Sequence, residues 1–174
     1  MHPTERKVRP ARRDELAALL RVDDAATELY ATAGVPITLP NTHPFVLAEV
    51  ARWSACLAAG TVWVAEGEAG EAVGFAAVGR VDGAAYLDQL SVHPRWARRG
   101  LGRALLARVM AEAGGEDLWL TTYDHVPWNR PFYESEGFRT VPDEQCGSDV
   151  QRILAEQRAV LPQPDRRVAM VRRA

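Results

Sequence analysis

Hydrophobic positions change period twice along this chain. After a short strand at Lys7 to Arg9, a helix is expected from about Arg12 toward Tyr30, because Leu16, Leu19, Leu20 and Ala26 fall on roughly one face. The segment TAGVPITLPNTHP, rich in turn formers, leads into a second helical stretch from about Pro44 to Ala59. From Thr61 the pattern turns to strands: TVWVAE, EAVGFAAVGR after the turn GEAG, and AAYLDQLSV after VDGA. Together they predict a three-stranded antiparallel meander.

The helical period returns in ARRGLGRALLARVMAEAGG, where Leu101, Leu105 and Val109 repeat at i+4 and Gly114 and Gly115 supply the stop. DLWLTTY then reads as a strand. Because a helix separates it from AAYLDQLSV, the two are expected to lie side by side and parallel. A short helix from about Asn129 to Glu136 and a strand at GFRTV follow, and the tail, with helical SDVQRILAEQRAV and strand-like RRVAMVRR, could extend the sheet. The order predicts an α+β fold: a mixed, mainly antiparallel sheet flanked by helices, with one parallel β-α-β crossover.

Composition narrows what such a fold does. A chain of 174 residues, 47% apolar, can bury one sizeable core, so residues 1–174 are expected to form a single domain. A net charge of -2 gives no general attraction to nucleic acid or anionic lipid, and neither is expected as a partner. The apolar runs stop short of a bilayer span and MHPTERKVRP lacks the apolar stretch of a signal peptide; a soluble, cytoplasmic protein is the expectation. Cys56 and Cys146 sit in no CxxC setting, and His43, His93 and His125 have no spacing that argues for a metal. Lys7 is the only lysine, so an arginine pair alone says little here.

The stretch ARRGLGRALL lies where a strand gives way to a helix. Unpaired N–H groups and the helix dipole make such a turn receptive to anions, and glycine lets backbone come close to a ligand. It is not a Walker A loop, since no Gly-Lys-Ser/Thr follows, and Leu105 stands where a G-x-G-x-x-G fingerprint needs glycine. Lysine and magnesium ligands are missing at the places a nucleotide site would need them.

The longer run LDQLSVHPRWARRGLGRALL resembles the acetyl-coenzyme A motif of the GNAT family of N-acetyltransferases: a strand of L-x-V type, a loop, then Q/R-x-x-G-x-G/A at a helix start. A second family motif is matched about thirty residues on by NRPFYESEGF. The resemblance covers about Thr61 to Val141, and the first sixty residues by element order alone. It departs at Ala97, which replaces the first Q/R, and at Pro131, where a small residue is common.

The resemblance implies an N-acetyltransferase that holds acetyl-coenzyme A in a V-shaped gap between AAYLDQLSV and DLWLTTY. Pantetheine would pair with the main chain of Leu90, Ser91 and Val92, whose N–H groups would also receive the oxyanion. The pyrophosphate would rest on the backbone of Arg98, Arg99, Gly100, Leu101, Gly102 and Arg103. Tyr133 matches the family's general acid, and Asp88 the position of a base acting directly or through water. Asn129 and Phe132 fall on the cofactor side. Each residue also has a bland explanation: Asp88 could pair with an arginine at a sheet bulge, Asn129 could cap a helix, and Tyr133 could pack in the core with Phe132.

The acceptor that the resemblance implies is an amine, of a small molecule or a peptide, and no metal is expected. The loop GVPITLPNTHP, the first two helices and the tail would select it. Asp23, Asp24 and Glu28 could attract a cationic amine or form a solvated helix face. Family members often pair as dimers, and the basic C-terminal strand could swap or add to a partner sheet. The alternative to an enzyme is a non-catalytic acyl-CoA-binding or sensing module.

Overall fold

The computed structural model describes residues 7–174; of MHPTERKVRP, the first six residues lie outside the described residues. Seven strands form one sheet: β1 (Val8–Pro10), β2 (Val62–Glu66), β3 (Ala72–Val81), β4 (Ala84–Val92), β5 (Leu118–Tyr123), β6 (Arg139–Val141) and β7 (Arg167–Arg172). Their order is β1-β2-β3-β4-β5-β7-β6, and β4–β5 is the parallel pair in an otherwise antiparallel sheet. The meander and the parallel crossover are therefore as the periodicity predicts. The C-terminal strand joins the sheet from within: β7 enters between β5 and β6, paired with β5 along its length and with β6 at Ala169, Met170 and Val171. Periodicity specifies a strand's faces, not its neighbours.

Among the described residues five α-helices cover the sheet: α1 (Leu16–Glu28), α2 (Pro44–Ala59), α3 (Leu101–Ala113), α4 (Arg130–Ser135) and α5 (Ser148–Val160). The first begins four residues later than expected. Glu15 accepts hydrogen bonds from Arg9 at 2.6 and 2.9 Å and from the Arg12 N–H at 2.7 Å, which holds residues 12–15 in a turn. At α2, Pro44 opens the helix and His43 Nδ1 accepts from the Phe45 N–H at 3.1 Å, a local stop and start written in THPF.

Strand alternation sends side chains to two cores. Val62, Val64, Phe75 and Ala77 pack against Leu19, Val22, Trp53 and Leu57 of α1 and α2. Trp63, Ala65 and Ala76 pack with Leu101, Leu105, Leu106 and Val109 of α3 and with Tyr133 of α4. Helix α5 lies on the α1/α2 face, where Val150 and Leu154 meet Tyr86, Trp119, Ala169 and Val171.

Two irregularities open the sheet at its centre. Ala77 pairs with Gln89 and Val78 with Leu87, so Asp88 is an extra residue in β4, a bulge that bends the strand. The parallel pairing to β5 consists of Ala85 with Leu118 and Tyr86 with Trp119, and then ends. Beyond it β4 and β5 part, leaving Leu87 to Val92 without a strand partner on that side.

Candidate active site

At the start of α3 the backbone turns through left-handed conformations at Arg98 (φ 62°) and Gly100 (φ 76°). That geometry is uncommon for a residue with a side chain and curls successive N–H groups toward one point. Among the described residues, the N–H groups from Arg98 to Arg103 donate to no acceptor in the chain, and no side chain caps the helix. The first bond is from the Ala104 N–H to the Gly100 carbonyl, at 3.0 Å. The arginines divide: Arg103 donates to Glu136 at 2.5 Å, Arg99 lies 4.9 Å over the Trp96 ring, and Arg98 is exposed. A Cβ at Gly102 would sit 3.9 Å from Phe132 and from Val92, an ordinary contact, so internal packing does not require glycine there.

Beside this turn lies the gap between β4 and β5, with Tyr133 at its mouth. Its ring packs edge-on to Phe132 and Phe138, at 5.2 and 5.6 Å between centroids. The residue is 8% exposed, yet its hydroxyl makes no hydrogen bond among the described residues. Burial pushes the phenol above its ordinary pKa, so at neutral pH it is a neutral donor.

A cavity of about 180 Å³ passes through the gap from one face of the sheet to the other. Leu87, Leu120 and Tyr133 line it on the α3/α4 side, and Asp23, Glu49, Arg52, Asp88 and Arg167 on the side of α1, α2 and α5. That volume is large enough for several waters. Asp88 receives hydrogen bonds from Arg52 Nε at 2.8 Å and from Trp53 Nε1 at 3.0 Å. These contacts tie the bulge to α2.

Two other carboxyls behave differently. Burial raises Asp23 to about 6, although it accepts from Ser91 Oγ and Gln89 Nε2, both at 2.8 Å. Burial, with Asp23 adding, raises Glu49 to about 7, and among the described residues Glu49 accepts no hydrogen bond. The sequence put Asp23 forward only as an attractor of cations and passed over Glu49. The missed signal is spacing: Phe45, Glu49 and Trp53 fall at i, i+4 and i+8, a carboxylate on the buried stripe of a helix.

The remaining expected residues are close by. The main chain of Leu90, Ser91 and Val92 forms the open edge of β4, and the Ser91 side chain turns to Asp23. Asn129 precedes α4, but its side chain makes no cap; its amide bonds the Tyr30 hydroxyl at 3.0 to 3.2 Å across the cavity wall. The bland reading of Asn129 as a cap is corrected on that point. His93 accepts from the Arg95 N–H at 3.2 Å and orders the loop before the glycines.

These contacts predict what Asp88→Asn does. Losing the charge partner of Arg52 is expected to lower stability by about 1–2 kcal/mol. Thermal unfolding checks this, and an unchanged midpoint would show that the pair contributes nothing.

Residues 58–140, from the end of α2 through most of β6, match the family model described as an acetyltransferase (GNAT) domain. This central stretch is similar to GNAT domains. The Escherichia coli protein described as uncharacterized N-acetyltransferase YafP is 36% identical over 94 residues, 54% of this chain and 56% of that protein. The chain thus spans about half the length of this curated relative. Among solved structures, an acetyltransferase from Streptococcus agalactiae superposes with a TM-score of 0.72 at 17% identity, covering 99% of this chain and 100% of that one. The N-acetylglutamate synthase of Neisseria gonorrhoeae, solved with coenzyme A and N-acetyl-glutamate, gives 0.65 at 16% identity, over 99% of this chain and 36% of that chain. These likenesses establish the GNAT fold and its mixed sheet. Among the described residues no helix is long and apolar enough to cross a membrane.

Proposed function

We propose that this GNAT-fold domain is an N-acetyltransferase that moves an acetyl group from acetyl-coenzyme A to an amine. The observation that carries the reading is the juxtaposition of three features: a run of free N–H groups at the start of α3, the open edge of β4, and the unbonded Tyr133 hydroxyl at the mouth of the gap. The first suits a pyrophosphate, with Arg98 and Arg99 near it. The second suits the amide-bearing pantetheine arm, and the third a departing sulfur. The Neisseria enzyme solved with coenzyme A has this fold and lends the reading support.

In the reaction the amine nitrogen attacks the thioester carbonyl, a C–N bond forms, and the C–S bond breaks. An ammonium acceptor loses two protons in all. One reaches sulfur with Tyr133 as the donor; the other passes to a carboxylate and then to water. The sequence put forward Asp88, or water, as that base. Asp88 is committed to Arg52 and Trp53, whereas Glu49, free of hydrogen bonds and raised to about 7, has the proton affinity that base work near neutral pH asks for. We therefore assign the base to Glu49 and leave Asp88 the role of holding α2 against the bulge. Backbone N–H groups of Leu90 to Val92 are the candidates for the oxyanion.

Coenzyme A binding by calorimetry together with thiol release over an amine panel tests the reading. Binding with release supports it; binding without release from any amine makes the domain a sensor, and no binding removes both. Gly102→Ala sharpens the test. Because its Cβ meets only ordinary contacts and alanine favours a helix, the variant is expected to fold as stably as the parent while coenzyme A affinity drops about tenfold or more. Unchanged affinity would mean that no ligand approaches the backbone at this point.

A further inference from the structure

Arg167 is the one buried basic residue among the described residues. The buried acid Glu15 is gripped by Arg9 in two hydrogen bonds, but Arg167 has no such counter-ion within reach. Its Nη2 donates to Gln157 Oε1 at 2.9 Å and Thr121 Oγ1 at 3.3 Å, both neutral, and its guanidinium lies 4.7 Å over the Tyr123 ring. Nε is buried with no partner, and Nη1 makes no hydrogen bond among the described residues. A guanidinium does not shed its charge when buried, so an unpaired one is costly and its retention calls for an anion.

The anion is not the one expected at α3. Arg167 shares a strand face with Ala169 and Val171, the face that packs on α5, whereas α3 lies on the other face. Arg167 lines the through-sheet cavity on the same side as Asp23 and Glu49, and neither carboxyl is within ion-pair distance of it. The cavity therefore holds an uncompensated positive group and, apart from it, two acidic groups: a charge pattern complementary to a ligand carrying both signs.

We infer that the acceptor is an amine bearing its own carboxylate, a small amino-acid-like zwitterion, with the carboxylate docked on Arg167 and the ammonium on Asp23 and Glu49. This rests on the acetyltransferase reading and names its substrate class. The buried guanidinium selects for the carboxylate, because an acceptor lacking it leaves the charge unpaired in the cavity. A peptide or protein amine, with no carboxylate a few bonds away, fits less well.

The experiment compares each of the common L-amino acids with its C-terminal amide as acceptor, by thiol release, in the wild type and in Arg167→Gln. For at least one pair the wild type is expected to favour the free acid by about 10²-fold in kcat/KM, and in the variant that ratio is expected to fall toward one. The wild-type comparison stands even if the variant does not fold. Transfer only to amides, polyamines or peptides overturns the inference while leaving the acetyltransferase reading intact. A ratio unchanged in folded Arg167→Gln also overturns it and makes the arginine structural. Absence of coenzyme A binding in the wild type, measured in parallel, would instead sink the acetyltransferase reading itself and this inference with it.

Discussion

Tyr133→Phe is expected to lower turnover by about 10²-fold or more while coenzyme A affinity stays within about threefold. The ring is held by Phe132 and Phe138, and the hydroxyl makes no hydrogen bond with the chain, so the substitution removes a donor and leaves the packing in place. Reference values make full proton transfer from a phenol to a thiolate uphill by roughly 2 kcal/mol. Burial raises the phenol further, but the same burial would also disfavour the departing thiolate. Donation is then best timed with cleavage of the C–S bond, when charge on sulfur is developing. Single-turnover rates and calorimetry on the same preparation separate the two effects. Turnover at the wild-type rate would remove Tyr133 from the chemistry and leave it a core tyrosine.

Glu49→Gln is expected to act in opposite directions on activity and stability. The groups facing Glu49 are Asp23 on α1, Arg52 on α2, Asp88 on β4 and Arg167 on β7, and burial outweighs the two arginines to raise the carboxyl from 4.5 to about 7. As a base it works once ionised, so wild-type kcat/KM is expected to rise through about pH 7. The variant should lose that limb and about 10²-fold in rate. A raised acid favours the folded state while it is protonated, and that stability is lost as pH rises from its unfolded value through its folded one. Glutamine carries no such penalty. At pH 8 the variant is expected to be more stable than the parent by about 1–2 kcal/mol, a figure reduced because the cavity admits water, and below about pH 4 the two should unfold alike. A retained limb near pH 7 would assign the proton elsewhere, and with Asp88→Asn losing the limb instead, to the residue the sequence put forward.

The contrast between Asp88 and Glu49 shows where reading a sequence stops. An acidic residue inside an apolar strand stands out, because strands alternate and a charge among Leu87, Leu90 and Val92 must be either solvated or paired. Which of the two holds depends on Arg52 and Trp53, more than thirty residues earlier, and no periodicity connects them. Glu49 was overlooked for the converse reason: it stands on a helix where acidic residues are common, and only the packing of α2 over the gap in the sheet turns that face inward. Arg167 lay hidden in a chain whose cations are nearly all arginine. Its significance is the lack of a counter-ion, which is a fact about three-dimensional neighbours.

What the sequence determined by itself is local and periodic: the strands and helices within a few residues, the meander set by short turns, the parallel step forced by an intervening helix, and the glycine turn opening α3. Each follows from backbone geometry and burial acting over adjacent residues. The tertiary structure alone decided that β7 slips between β5 and β6, that a bulge at Asp88 and two short pairings let β4 and β5 part, and that Asp23, Glu49 and Arg167 meet in the resulting gap. Those outcomes depend on which side chains from distant segments share one desolvated space, and the cost of burying a charge there is set by all of them together.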